Sequence, residues 1–141
     1  MTHERFMYLA LAESKKGDSP YGAVIIKDNE VVAKAYNTVI RDSDPSAHAE
    51  MNAIRALTNK NKSSSLDGYT IYASKKPCPM CAAACIWAGV DEIIIGASIQ
   101  ELIDINQSQI HLSCDEIVAK SYQKIKLTKG VLQQKSVALF T

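Results

Sequence analysis

Two short motifs constrain this chain more than any other feature: His48-Ala49-Glu50 and, about thirty residues later, Pro77-Cys78-Pro79-Met80-Cys81. Cys78 and Cys81 stand at i and i+3, so one helical turn places both sulfurs on the same side. Pro79 suits the first helical position, where an N–H would have no acceptor. His48 and Glu50 differ by two positions and converge only at a helix start. The motifs therefore predict two helix N-termini that face each other.

The residue types of these motifs indicate a zinc site. His48, Cys78 and Cys81 are predicted to bind one Zn²⁺ per chain as an imidazole and two thiolates, with the fourth position left open for water. Zinc lowers the pKa of bound water to about 7. Glu50 is not needed as a ligand, so its carboxylate is predicted to be the catalytic group that moves protons.

The cysteines are also compatible with other kinds of site. A C-x-x-C pair alone also fits a thioredoxin-like redox motif or half of a structural zinc site. A Cys₂His₂ finger is disfavoured because His3 and His111 are distant from the pair and in the wrong order. Cys85 and Cys114 are predicted to be small buried residues without a redox role.

From Tyr21 through Asn37 to the two motifs, nearly the whole chain resembles the cytidine-deaminase-like superfamily, in the branch that contains guanine deaminases and tRNA adenosine deaminases. The pattern H-x-E…P-C-x-x-C is the signature of zinc deaminases. The resemblance implies hydrolytic deamination of an amino-bearing nucleobase or nucleoside, with release of ammonia. It also implies a three-layer α/β/α fold, a central mixed sheet of about five strands with helices on both faces.

The resemblance also implies substrate contacts. The Asn37 side chain and the Ala49 backbone N–H match groups that bind the base, and Trp87 matches an aromatic residue near the base in guanine deaminases. Packing in the core or in a dimer contact is the alternative for Trp87. The chain departs from the family at Lys76, where relatives usually carry Glu immediately before the Pro-Cys pair.

Three functional hypotheses follow. A deaminase of a guanine-like aminopurine is favoured, with a tRNA-specific adenosine deaminase or a cytosine/cytidine-type deaminase as the alternative. A zinc-dependent binding protein without turnover would leave Glu50 without a role. RNA binding would draw on the basic C-terminal segment, whose lysines are Lys120, Lys124, Lys126, Lys129 and Lys135.

Length, composition and net charge limit how the chain can be organised. Its 141 residues, 47% of them apolar, suit a single zinc-dependent deaminase domain over residues 1–141. The formal net charge of +1 creates no global field that demands nucleic acid or a membrane. Early charged residues interrupt any signal sequence, so a cytoplasmic location is expected. The resemblance adds an expected homodimer and a small-molecule substrate, with tRNA as the less favoured partner.

Hydrophobic periodicity predicts alternating helices and strands. The segment 98–113 shows no clear pattern. Predicted helices cover Glu4 to Lys15, about His48 to Asn59, the segment after Cys78, Glu116 to Ser121 and Val131 to Phe140. Predicted strands cover Ala23 to Lys27, Val31 to Tyr36, Tyr69 to Ala73, Asp91 to Gly96 and Lys124 to Leu127.

Overall fold

The structure is a computed structural model that describes residues 3–97 and 110–138. The helices in this part of the chain are α1 (His3–Ser14), α2 (Ala49–Asn61), α3 (Pro79–Ala88), α4 (Cys114–Ala119) and α5 (Gln133–Ala138). The strands are β1 (Gly22–Lys27), β2 (Glu30–Tyr36), β3 (Thr70–Lys75), β4 (Glu92–Ala97) and β5 (Lys126–Thr128). None of the described helices is long and apolar enough to cross a membrane.

The strands form one mixed five-stranded sheet in the order β2-β1-β3-β4-β5. β1 pairs antiparallel with β2 and β3, whereas β4 pairs parallel with β3 and β5. Asp28 and Asn29 join β1 to β2 with φ angles of 51° and 66°, as a type I′ hairpin requires. Because β1 runs opposite to both neighbours, β2 and β3 point the same way and end at the same edge of the sheet.

Helices cover both faces of this sheet, which confirms the predicted α/β/α layers. On one face α2 and α3 pack against Ile25, Ile71 and Ile95. On the other face α1 packs against Val24 and Ile94. Successive residues of β4 enter opposite clusters, so its continuous apolar run is buried on both sides, as predicted for an inner strand of a layered fold.

Several element boundaries differ from the sequence predictions by one or two residues. β3 was predicted to end at Ala73 but continues to Lys75, because Lys75 pairs with Ala97 of β4. The final helix begins at Gln133 rather than at Val131, and its predicted end at Phe140 lies outside the described part of the chain, as do all of residues 139–141. In the unpatterned segment 98–113, residues 98–109 also lie outside it. Ser113 caps α4, and its hydroxyl accepts a hydrogen bond of 3.1 Å from the Glu116 N–H.

α1 packs so closely on β1 that Gly22 leaves no room for a side chain. A Cβ at Gly22 would lie 2.1 Å from the Ala10 carbonyl oxygen and 2.5 Å from the Ser14 nitrogen. Gly89 differs, because it ends α3 in the left-handed conformation (φ 80°) and a Cβ there would meet no atom closer than 3.5 Å. Gly22 is therefore required because a side chain would not fit, and Gly89 is favoured because of its left-handed backbone conformation.

We expect Gly22→Ala to lower the free energy of unfolding by about 1–3 kcal/mol, the usual cost of overpacking. Urea denaturation with zinc present measures it. Gly89→Asn is the matched control and should change stability by less than about 1 kcal/mol, since Asn tolerates the left-handed conformation. Equal losses in both variants would show that close packing of α1 does not require Gly22.

Candidate metal centre and substrate cavity

The candidate metal centre lies at the edge of the sheet where β2 and β3 end. His48 is the N-cap of α2 and Cys78 is the N-cap of α3. Their carbonyl oxygens accept the first helical hydrogen bonds, from Asn52 and Ala82, each 2.9 Å long. Pro79 occupies the first turn of α3, as predicted. The structure therefore brings together two helix N-termini, as the motif spacing predicts.

The spacing of the donor atoms fits zinc. His48 Nδ1 lies 3.5 Å from Cys78 Sγ and 3.6 Å from Cys81 Sγ, and one donor atom from each residue lies within 4.8 Å of the others. A tetrahedral zinc with Zn–N of about 2.0–2.1 Å and Zn–S of about 2.3 Å separates N from S by roughly 3.5–3.6 Å. These three residues form a potential metal site.

The electrostatics of the site favour one thiolate before a metal binds. Hydrogen bonds from Cys81 and His48 lower the pKa of the Cys78 thiol to about 4, although burial opposes this shift. The pKa of Cys81 is raised, first because it donates to the Cys78 sulfur and then because it is buried. The pKa of His48 is raised mainly by its hydrogen bond with Cys78. A divalent cation would replace the shared protons and bind both sulfurs as thiolates.

Glu50 lies next to this cluster in the first turn of α2, where its residue is 4% exposed. Burial and, secondarily, the negative charge of Cys78 raise the pKa of the Glu50 carboxyl to about 7. The Glu50 carboxylate is absent from the set of close metal donors among the described residues. It lines the same cavity as His48 and Cys78.

This cavity has a volume of about 830 Å³ and opens beside the metal centre. Asn37, predicted to bind substrate, lines it and is only 6% exposed. The Asn37 Oδ1 accepts a hydrogen bond of 3.0 Å from the Val39 N–H, which orients the amide and leaves its nitrogen to donate. Ala49 is fully buried and, as the first residue of α2, has an N–H without an acceptor inside the helix.

A charged pair that sequence reasoning missed lies at the cavity. Asp18 lines the cavity and accepts hydrogen bonds from the backbone N–H groups of Ile40 and Arg41, at 3.0 and 2.9 Å. The Arg41 side chain also donates to Asp18 at 3.0 Å. These hydrogen bonds, led by the one from the Arg41 backbone, lower the pKa of the Asp18 carboxyl. The residues lie 23 positions apart, so no local motif signals their pairing.

Trp87, like the predicted site residues Ala49 and Cys81, is not among the described residues that line this cavity. It lies in the last turn of α3, nine residues after Cys78, and a helix rises about 13 Å over that distance. Its residue is 76% exposed, and its ring centroid lies 5.8 Å from that of Tyr122. Within the described chain Trp87 does not line this cavity, and its contact with substrate stays a prediction.

Two consecutive lysines beside the metal centre are also buried. Lys75 is 1% exposed, and its ammonium donates to the Pro20 carbonyl oxygen and lies 5.6 Å from the centre of the Tyr21 ring. Burial lowers the pKa of Lys75 to about 7, although the charge of Glu50 opposes the shift. Lys76 is 9% exposed and lines the cavity. The sequence does not indicate this burial, because two consecutive lysines at the end of a strand are ordinarily expected to be exposed.

Comparison with known proteins identifies the family. Residues 1–97 match the family described as the cytidine and deoxycytidylate deaminase zinc-binding region. The chain therefore belongs to the cytidine-deaminase-like superfamily of zinc deaminases, and its relatives are hydrolases. This result agrees with the donor set and the sheet described above.

Three relatives illustrate the range within the superfamily. The tRNA-specific adenosine deaminase of Aquifex aeolicus is 38% identical over 101 residues, covering 69% of this chain and 67% of that protein. The guanine deaminase of Bacillus subtilis is 40% identical over 93 residues, covering 62% of this chain and 60% of that protein. A solved tRNA:A34 deaminase, studied for A-to-I editing at the wobble position of transfer RNA, aligns with a TM-score of 0.84 and 27% identity over 96% of this chain and 98% of that chain. The chain thus spans about two thirds or less of the length of the two curated relatives.

Zinc content should depend on the three converging residues and on neither of the other cysteines. We expect one zinc per chain in the wild-type protein and loss of zinc in Cys78→Ser, with a lower melting temperature because metal binding adds to the free energy of folding. Elemental analysis and thermal unfolding measure the two effects.

The matched control is Cys85→Ser, which alters a fully buried cysteine four residues after Cys81 on the same helix. It should retain zinc. Full zinc in Cys78→Ser, or its loss in Cys85→Ser, would contradict the assignment of ligands.

Proposed function

We propose that this chain catalyses the hydrolytic deamination of an aminopurine, with His48, Cys78 and Cys81 as zinc ligands and Glu50 as the proton-transfer group. In this reaction the ring C–NH₂ bond breaks, oxygen from water takes its place, and ammonia leaves. The observation that supports this proposal most strongly is the grouping of one donor atom each from His48, Cys78 and Cys81 at distances that fit zinc. The buried carboxyl of Glu50 lies beside these donors and is not one of them. When bound, zinc supplies a Lewis acid and a water of lowered pKa.

The residues of the chain support the rest of the chemistry. A carboxyl whose pKa lies near 7 can both accept and donate a proton at neutral pH, as a group that serves as base and then as acid must. We assign hydrogen bonding of the base to the Asn37 amide nitrogen, since the hydrogen bond from the Val39 N–H to Oδ1 orients the amide. The Ala49 N–H is a second donor at the same edge of the sheet.

Adenosine in tRNA is one candidate substrate, supported by the activity named for many of the curated relatives. tRNA-specific adenosine deaminases of Buchnera aphidicola, Bacillus subtilis and Haemophilus influenzae are 31%, 36% and 32% identical to this chain. A base in an RNA loop is already unstacked and is easily extruded into a cavity.

A small guanine-like aminopurine is the other candidate, supported by the similarity to the Bacillus subtilis guanine deaminase. The basic C-terminal segment gives RNA only partial support, because three of its lysines have partners within the chain. Lys126 lies 3.7 Å from Glu92, Lys129 binds Asp115, and Lys135 lies over the ring of Tyr8. The resemblance of Trp87 to an aromatic residue of guanine deaminases also supports guanine, although Trp87 does not line the cavity in the described chain.

We also propose that the enzyme is a cytoplasmic homodimer. The exposed pair Trp87 and Tyr122, together with Leu112, borders a groove of about 360 Å³ on the surface of α3. This placement supports a dimer contact, the alternative role considered for Trp87. Sedimentation of the zinc-loaded protein at several concentrations tests the dimer.

Glu50→Gln should separate folding from chemistry. Because Glu50 is assigned to proton transfer, the variant should keep one zinc and its fold while turnover falls by a factor of about 10² or more. Elemental analysis and a coupled ammonia assay measure the two properties. Loss of zinc would make Glu50 a ligand, and unchanged turnover would show that another group moves the proton.

Ammonia release from guanine, guanosine, adenosine, cytidine and an RNA anticodon stem–loop tests the substrate class. We expect turnover of at least one purine and none of cytidine. If RNA is the substrate, the affinity should fall with salt at a log–log slope of roughly −0.7 per phosphate contact. A flat salt profile with turnover of guanine would select the small-molecule candidate, and activity on cytidine alone would refute the aminopurine proposal.

A further inference from the structure

Lys76 is a charged residue that lines the substrate cavity. It follows β3 and stands two residues before the metal donor Cys78. Its backbone N–H donates to the Ala97 carbonyl oxygen at 2.6 Å, which fixes the root of the side chain at the end of the sheet. The Lys76 side chain is 8% exposed, and a buried cation is stable only when it is paired.

The pairing comes from Asp115 on α4. The Lys76 ammonium donates to Asp115 Oδ1, and the Lys129 ammonium donates to Asp115 Oδ2 at 2.6 Å. Burial would raise the pKa of the Asp115 carboxyl, but the hydrogen bonds from Lys129 and Lys76 outweigh burial and lower it to about 2. Two cations therefore share one carboxylate, and the cluster carries an excess of one positive charge.

Lys76 is the one lysine or arginine among the described residues that line the cavity. Asp18, which also lines it, is paired with Arg41. A zinc ion with two thiolates and a neutral imidazole would carry no net charge. Lys76 therefore offers a positive complement to an anionic group of a ligand.

We propose that Lys76, held by Asp115, binds a phosphate group carried by the nucleotide that contains the substrate base. An ammonium has three donors, and among the described residues Asp115 is the acceptor recorded for that of Lys76. Lysine binds phosphate as a point charge. The cavity of about 830 Å³ lies at the upper end of ligand pockets, roughly 300–1,000 Å³, and so has room for more than a bare base.

This inference rests on the proposed deaminase function and narrows its substrate class to aminopurine nucleotides. The phosphate has two sources, a mononucleotide or a nucleotide within an RNA loop. The role of Lys76 is the same for both, since it contacts an oxyanion and not the base. The experiment therefore contains an arm for each source.

The test compares kcat/KM of zinc-loaded protein on adenosine with that on adenosine 5′-monophosphate, on guanosine with that on guanosine 5′-monophosphate, and on an adenosine-containing RNA stem–loop. For the nucleoside that is turned over, we expect kcat/KM of its 5′-monophosphate to be about 10- to 100-fold higher. This is the effect of a hydrogen bond to a charged group. In Lys76→Met this preference should fall at least tenfold, and Lys76→Arg should restore part of it.

Lys129→Met is the matched control, because Lys129 binds the same carboxylate but does not line the cavity. Its preference ratio should stay within about threefold of wild type if Lys76 contacts the phosphate directly. An equal loss in both variants would show that the cluster acts only through its structure or its field, and would overturn the assignment. Lys76→Gln, nearer in polarity, takes the place of Lys76→Met if that variant does not fold.

The two proposals fail in different ways. Equal kcat/KM for nucleoside and nucleotide would overturn the role of Lys76 and leave the deaminase intact. If none of the probes releases ammonia, the deaminase proposal fails, and calorimetric titration with adenosine 5′-monophosphate still decides the phosphate site. Binding about tenfold tighter than that of adenosine, lost in Lys76→Met, would support the site, and equal binding would refute it.

Discussion

The convergence of two helix N-termini at one edge of the sheet is the constraint on which the whole site depends. β2 and β3 point the same way only because β1 lies between them and runs antiparallel to both. The chains that leave β2 and β3 therefore reach the same edge, where His48 begins α2 and Cys78 begins α3. Open α/β sheets bind ligands at the carboxyl ends of their strands, and the candidate site lies at the edge where β2 and β3 end.

Hydrogen bonds at that edge hold the buried side chains in place before any ligand arrives. Among the described residues, no buried side-chain nitrogen or oxygen lacks a hydrogen bond. His48 shares protons with the two thiols, and Asn37 is oriented by Val39. Such a preorganised site keeps its geometry when a metal replaces the protons, because the hydrogen-bond distances already match the separations that zinc requires.

The sequence predicts the parts of the site that are local and misses those that are distant. Motif spacing places His48 and Cys78 at helix starts, since helical periodicity acts over a few residues. It cannot show that Lys76 meets Asp115, which lies 39 positions later, because that contact depends on how α4 packs. The same limitation applies to Trp87: similarity assigns an aromatic residue near the base, whereas α3 places Trp87 in its last turn, outside the cavity lining of the described chain.

Substrate choice in this family member is then a question of local rather than global charge. A net charge of +1 and largely paired lysines give little long-range attraction for a polyanion. A single lysine that lines the cavity acts differently, because its side chain is largely buried and its position is set by both its backbone and Asp115. Such a group discriminates between ligands that differ by one phosphate without requiring a basic surface. The same contact can therefore bind a mononucleotide or a nucleotide within an RNA loop. The choice between these two substrates must come from other residues around the cavity than Asp18 and Ile40, which line it.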